Sequence, residues 1–506
     1  MAYGSAQGVA GDRDAPVDTR PAGAGRSSRV RELLAREPFG FLVPALGAVV
    51  LSAWLPTLVA QDTWLALVAG RQIRESGLPD DDTLTVWAQG VDWVDQQWLG
   101  QLALYGLHAL GGFRLLGLAH LVVLLLAFTL ALVFARRTGG SSRSTALVGA
   151  IALFVALSNT IIRTQVFAYV LFVVVFWLLA SDARRPSLRV LYVLPVLVLW
   201  ANVHGSAVLG AGLVLAWAVA GAIAARRNAR WKHDLVRHGA VVVAAALCLL
   251  ASPYALELPS YYRDVLGAGE FRELVTEWRA TTFTREWPFF VLALPSLWLA
   301  AREWRRLSLF EHLALVYTLV GALQAIRNIV WFAFVAIMVI PRALDGAWPI
   351  KDAPLRPRFN VALSLTAGAL AVVAVAVAAA HPSRWYTPDY PDAAARAVGR
   401  AATADRSLRV FANEKYADWL LWKEPELGGK VAYDARFELL SGDELRAISR
   451  FRRRVSSNWR APAAGYGLVV LDPAHERVAI RTLLREPGAR SLYRDEDVVV
   501  VLRPDR

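Results

Sequence analysis

Leu121-Val122-Val123-Leu124-Leu125-Leu126-Ala127-Phe128-Thr129-Leu130-Ala131-Leu132-Val133-Phe134-Ala135 is an unbroken apolar run, closed by Arg136-Arg137. Extended back to residue 114, the block is long enough for an α-helix to cross a ~30 Å hydrocarbon layer at ~1.5 Å per residue. In lipid, a helix satisfies its own backbone polar groups, which an open strand or loop cannot do. Similar blocks, rich in Ala, Val and Leu and nearly free of charge, recur along the chain. They predict about eleven membrane helices, over 39–60, 114–135, 144–159, 164–181, 187–202, 204–225, 236–252, 287–301, 307–325, 327–344 and 359–380. Two of them, 187–202 and 287–301, are short for a full span and imply tilt or local thinning of the bilayer.

The 506 residues are 56% hydrophobic and carry a formal net charge of +13. Placement, rather than total, gives that charge its meaning. Alternate gaps between the apolar blocks hold Arg136, Arg137 and Arg143; Arg184, Arg185 and Arg189; Arg226, Arg227, Arg230, Lys232 and Arg237; Arg302, Arg305 and Arg306; and Arg342, Lys351, Arg356 and Arg358. The first intervening loop, 61–113, holds seven carboxylates against Arg71 and Arg74. The positive-inside rule puts the basic gaps in the cytoplasm. A multi-pass plasma-membrane protein with a cytoplasmic N-terminus follows, and nucleic-acid binding is not needed to explain the charge. Residues 1–37 read as a disordered cytoplasmic tail without the apolar core of a signal peptide, so the first membrane helix is expected to be retained. The single cysteine, Cys248, excludes a disulfide framework within one chain.

An odd number of spans leaves 38–380 as the membrane domain and 381–506 outside. Strands are expected at 408–411, 430–433, 467–471 and 498–502, alternating with helices at 415–424, 442–454 and 474–485, as in a layered α/β domain. Two outside loops are long, 61–113 and 253–286, and long ordered loops on one face of a bundle usually carry function or a lid. The amphipathic stretch Asp62 to Gly70 and the aromatics Tyr261, Tyr262, Trp278 and Trp287 suit a lipid interface.

Several polar residues can carry chemistry. Asp62, at the outer end of the first helix, is either a general base toward a hydroxyl or the N-cap of the amphipathic helix. Asp80 to Asp82 read first as a Pro-Asp turn, with oxygen ligation of a divalent metal as the alternative. Asp92 and Asp95 read equally as oxygen ligands of a divalent metal or as the polar start of an interfacial helix carrying Trp93 and Trp98. Arg163, His204 and Arg327 each occupy a short outside turn. Together they can form a cationic phosphate pocket; singly, the arginines snorkel to headgroups and His204 bonds a neighbouring helix. Arg450 to Arg454 read as a solvated helix face, and Asp434-Ala435-Arg436 as an ion pair fixing a turn.

Asp62, Leu65, Gly70, Ile73, Pro79 and Asp82, then Trp93 to Leu99, Trp200 to Gly205, and Arg327, Asn328 and Phe332 form an ordered set of motifs. In order and spacing they resemble a bacterial branch of the GT-C superfamily, membrane glycosyltransferases that use polyprenyl-phosphate-linked sugars. The resemblance runs through most of 39–506. It implies a GT-C-like bundle, a polyprenyl-phosphate sugar donor and an envelope acceptor. It gives Asp62 the catalytic-base position, with Asp92 or Asp95 orienting the acceptor and Arg163, His204 and Arg327 holding the donor phosphate. Gln61-Asp62 stands where characterised relatives often have an acidic pair, which leaves open whether Mg or Mn is required. Two other classes fit a bundle of this kind: a transporter or flippase of a lipid-linked anion, and a scaffold whose external domain binds an envelope partner. Neither inverted repeats nor charges at mid-membrane depth, the usual marks of a transporter, are seen.

Overall fold

The computed structural model describes residues 30–32, 34–35, 37–226, 231–267, 274–349, 356–454 and 457–503. Most of the expected tail 1–37, the basic residues Arg227, Arg230 and Lys351, and part of the loop 253–286 lie outside the described residues.

Every expected membrane segment is helical. The helices are α1 Pro38–Trp54, α2 Gln61–Ser76, α3 Trp98–Arg137, α4 Ser142–Ala156, α5 Gln165–Arg184, α6 Val193–Val203, α7 Ala207–Ala225, α8 Trp231–Leu249, α9 Leu258–Gly267, α10 Trp287–Arg302, α11 Leu309–Gln324, α12 Ile329–Ala347 and α13 Pro357–Ala380. Among the described residues, six segments, Pro38–Thr57, Trp98–Arg137, Gln165–Arg184, Ala207–Ala225, Ile326–Ala347 and Pro357–Ala380, are long and apolar enough to cross a membrane by length and composition. Ser142–Ala156, Leu188–Val203, Trp287–Arg302 and Leu309–Gln324 are shorter apolar helices in the same bundle. The α12 helix is apolar all round from Ile329 to Pro341 and buried from Ile329 to Ala343, where Arg342 pairs with Glu311, which makes it the centre of the bundle. At the periphery, α13 packs on α1 and exposes Leu365, Leu370, Val372 and Val373, an apolar face of the kind lipid covers.

The third helix begins earlier than its apolar block. It starts at Trp98 and bends at Gly111 and Gly112, where φ of +62° at Gly112 requires a residue without a side chain. The segment before the bend packs on α2. Contact is so close at Gly70 that a Cβ there would lie 2.5 Å from the Gln101 carbonyl oxygen.

After α13 come α14 Asp392–Ala404, α15 Glu414–Lys423, α16 Gly442–Arg453 and α17 Arg477–Leu483, around strands β1 Val410–Ala412, β2 Leu468–Leu471, β3 Arg490–Arg494 and β4 Val499–Leu502. The sheet order is β1-β2-β4-β3, with β1 parallel to β2 and the other pairs antiparallel. The expected strand 430–433 is instead a double bridge: Val431 pairs singly with Val410 and with Thr85 of the first loop. The edge strand β3 has no apolar run and was not anticipated.

The first loop is therefore part of the tail's fold. Trp87 stacks on Tyr433 at 5.2 Å, and Arg71 of α2 donates to the carbonyls of Leu421 (2.7 Å) and Trp422 (3.0 Å) at the end of α15. The lipid-interface reading of 62–70 does not hold. Residues Thr63 to Gly70 are buried, and Trp64 makes edge contacts with Phe113 and Tyr390. Trp93 is likewise buried, beneath the Arg436 guanidinium at 4.2 Å. Arg436 donates to Asp434 as the turn reading expects, and also to Asp82. On α16, Phe451 is buried and Arg452 pairs with Glu414, so the arginine run is not simply a solvated face.

Candidate active site

A cavity of about 410 Å³ opens where the two long outside loops, three inter-helix turns and the tail meet. Its wall includes Asp62, Arg163, His204 and Arg327, so four of the six residues singled out in the sequence converge on it. The other two do not line it.

The first turn of α2 delivers Asp62. The N-cap is Ala60 rather than Asp62, and Thr63 accepts from the Ala60 N–H at 3.1 Å while donating to the Ile162 carbonyl at 2.6 Å. That second bond ties α2 to the turn between α4 and α5, which carries Arg163. Freed from capping, Asp62 Oδ2 accepts from Arg163 Nη1 at 3.3 Å.

Arg163 is 4% exposed. Its Nη1 also donates to Glu277 Oε2 at 2.6 Å. Burial works against its charge, but Glu277 and Asp62 more than restore it and hold the guanidinium above its ordinary value. The Nε and Nη2 atoms are buried without a hydrogen-bond partner among the described residues. Glu277 experiences the reverse balance: burial opposes its charge, yet Arg163 and Arg327 hold it below the usual carboxylate range.

Arg327 lies in the short turn Ile326–Asn328 and stacks over Trp278 at 4.7 Å. Its Nη2 reaches Gln165 Oε1 at 3.5 Å, and among the described residues it forms no ion pair. Burial and the nearby Arg163 push it down from the ordinary guanidinium value. His204 ends α6. Its Nδ1 accepts from the Ser206 backbone N–H at 3.0 Å, which assigns the ring proton to Nε2. Burial, then Arg327 and Arg163, push the imidazole well below its usual range. It is a neutral donor at pH 7, not a third cation.

Asp92 is exposed and takes part in a bridge with Asp81. Asp95 is 2% exposed, and burial pushes it up to about 7. It sits behind the cavity and accepts from the Gln97 N–H at 3.4 Å. Gln97 in turn accepts from the Thr164 hydroxyl at 2.5 Å, next to Arg163.

Sequence reasoning missed Glu277 and the tail's share of the wall: Glu414, Phe437, Glu438 and Arg452. Glu438 follows Arg436 in a short turn, and burial pushes its carboxyl up to about 7. Nothing in the sequence around it sets it apart from a solvated carboxylate. No group of three or more His, Cys, Asp or Glu side chains suited to a metal ion occurs among the described residues. Asp62 and Glu277 both face Arg163 instead. This donor set does not fit Mg or Mn.

No family model and no curated protein matches the sequence. Solved structures match its fold. The archaeal oligosaccharyltransferase AglB from Archaeoglobus fulgidus, in complex with an inhibitory peptide and a dolichol-phosphate, aligns with a TM-score of 0.56 at 14% identity, over 86% of this chain and 70% of that one. ArnT from Cupriavidus metallidurans, bound to undecaprenyl phosphate, aligns with a TM-score of 0.52 at 14% identity, over 91% of this chain and 97% of that one. The chain thus has the fold of the GT-C membrane glycosyltransferases and is a multi-pass membrane protein.

Proposed function

We propose that the chain is a GT-C-type glycosyltransferase that moves a sugar from a polyprenyl-phosphate donor to an envelope acceptor on the extracytoplasmic face. The basic gaps lie in the cytoplasm, and the cavity and the tail lie outside. The donor phosphate sits between Arg163 and Arg327, with His204 Nε2 as a neutral donor. An acceptor hydroxyl oxygen attacks the anomeric carbon opposite the phosphate, with inversion. The new carbon–oxygen bond forms as the carbon–phosphate-oxygen bond breaks, and the electron pair leaves on the phosphate. The two guanidiniums stabilise that growing charge in a site partly screened from water. Asp62 takes the hydroxyl proton. Asp95 contributes through the turn that presents Gln96 and Gln97; Asp92 has no part in this scheme.

The observation that supports this reading best is the meeting of Asp62 with Arg163 on the wall of a cavity that also holds Arg327. The fold shared with structures holding a dolichol-phosphate and undecaprenyl phosphate adds to it. The test is Asp62→Asn, assayed for sugar transfer from a lipid-linked donor in membranes. Loss of a general base lowers turnover by about 10²–10⁴-fold. Unchanged turnover with intact protein removes Asp62 from the mechanism.

A further inference from the structure

Resting on that reading, we propose that Glu277 is an internal counter-ion that occupies the phosphate position and exchanges with the donor phosphate during each cycle.

The geometry around Arg163 carries the inference. Its Nη1 is held by Glu277 Oε2 at 2.6 Å and by Asp62 Oδ2 at 3.3 Å. Glu277 therefore makes the closer contact, through one oxygen and one nitrogen. Nε and Nη2 stay buried and unpartnered, an expensive state for guanidinium N–H groups. A carboxylate placed end-on leaves that demand unmet. A phosphate, with more acceptor oxygens around a tetrahedral centre, can meet it by accepting from several nitrogens of the fork.

Charge balance leads to the same place. Around Arg163, two guanidiniums, Arg163 and Arg327, face two carboxylates, Glu277 and Asp62, while elsewhere on the wall Arg452 pairs with Glu414. Adding a phosphate to this set brings in net negative charge at low local dielectric, which repels the carboxylate nearest to it. Asp62, its side chain 40% exposed, is carried on the first turn of α2 and makes the longer contact to Arg163. Glu277 stands in the short turn Thr276–Trp278 of the second loop, and its side chain is 30% exposed, so it has solvent to turn into. Arg327 rests on the neighbouring Trp278, so the same turn also sets the second cation.

The exchange has a use at both ends of the cycle. Before the donor binds, Glu277 holds the Arg163 guanidinium in place without a ligand. After transfer, the carrier remains as a phosphate monoester of higher charge than the donor's diester, and two unopposed arginines would hold it tightly. Glu277 returning to Arg163 competes with that product and speeds its departure. The residue is thus a determinant of phosphate affinity and carrier release, and does not touch the reacting carbon.

The experiment measures binding of undecaprenyl phosphate to the purified full-length protein in detergent, with neutral undecaprenol as the control for the lipid tail. Glu277→Gln keeps the shape and removes the competing charge. We expect it to bind undecaprenyl phosphate about tenfold more tightly than the wild type, with undecaprenol binding unchanged. Arg163→Lys and Arg327→Lys should each bind the phosphate more weakly. If Glu277→Gln binds equally or less tightly while the arginine variants lose affinity, the exchange is wrong and the phosphate site stands. If none of the three variants alters phosphate binding, both the exchange and the site it rests on are wrong. A gain for Glu277→Gln that appears equally with undecaprenol also overturns the proposal, because charge would then not be its cause.

Discussion

Arg436 and Asp82 stand 354 residues apart in the chain and meet in the interior, Arg436 Nη2 donating to Asp82 Oδ1 at 2.5 Å. The side chains are 1% and 0% exposed. Asp434 takes the Nε of the same guanidinium at 2.8 Å, and the face of the guanidinium rests on Trp93. One arginine thus neutralises a carboxylate from the first loop and one from the tail, and it stands beside Ala435, Phe437 and Glu438 on the cavity wall. Asp82 also caps its own turn, accepting from the N–H groups of Leu84 and Thr85 at 3.1 and 3.0 Å. Removing the arginine strands both carboxylates. Arg436→Met should cost about 3–5 kcal/mol of stability, read as a fall in Tm of the detergent-solubilised protein. Asp443→Ala, which breaks an exposed pair with Arg446, is the control and should leave Tm unchanged. Equal Tm values for the two variants would refute the structural role of Arg436.

Close approach at Gly70 gives a second expectation. A Cβ there meets the Gln101 carbonyl oxygen at 2.5 Å and Tyr105 Cβ at 2.6 Å. The first obstacle is backbone, which cannot rotate away. Gly70→Ala should force α2 from α3 and destabilise by about 1–3 kcal/mol. Because α2 carries Asp62, transfer activity should fall with it. Gly106→Ala, on α3 with open space around it, should be neutral or slightly stabilising. Thermal unfolding and a transfer assay on both variants check this, and the order of the two Tm values decides it.

Asp95 makes stability depend on pH. Burial raises its folded-state value to about 7, while an unfolded aspartate titrates near ~3.9. Between those values the folded protein keeps a proton that the unfolded chain has lost. The proton therefore favours folding at low pH, and this contribution is lost as pH rises from about 4 through about 7. Asp95→Asn should abolish that part of the dependence, so the gap in Tm between mutant and wild type should widen from pH 5 to pH 8. A gap constant with pH would show that Asp95 is not buried as a neutral acid.

What the sequence made readable follows from which signals are local. A membrane helix announces itself in its own residues, so each expected segment from 39 to 380 is helical, although the third helix starts at Trp98, well before its apolar block. Arg163, His204 and Arg327 stood out because a polar side chain beside an apolar block needs a reason. Glu277 and Glu438 lie in mixed, polar stretches, where a carboxylate looks like any solvated residue until its partner is known. The same limit misled the reading of α2. Trp64 and Leu67 are apolar because Tyr390 and the bundle cover them, and nothing in residues 61–76 says that the cover is protein rather than lipid. The segment 430–433 has the composition of a strand but bridges one residue to each side, and β3, with arginine at both ends, lacks that composition and is one.

Docking of the tail on the bundle depends on Arg71. Its guanidinium donates to the carbonyls of Leu421 and Trp422, two of the last in α15, and lies 4.9 Å over the Trp422 ring. Helix ends leave such carbonyls without intrahelical donors, and a cation there also suits the negative end of the helix dipole. The fork serves two acceptors and a ring at once, which an ammonium group cannot reproduce. Arg71→Ala should therefore cost about 1.5–3 kcal/mol. Arg71→Lys should recover less than half of that loss. Since α15 begins at Glu414 on the cavity wall, loosening its far end should show as faster hydrogen exchange across Glu414–Lys423, with the exchange of α12 unchanged. Exchange that rises equally in α12 would mean that Arg71 supports the whole fold and not the seating of the tail.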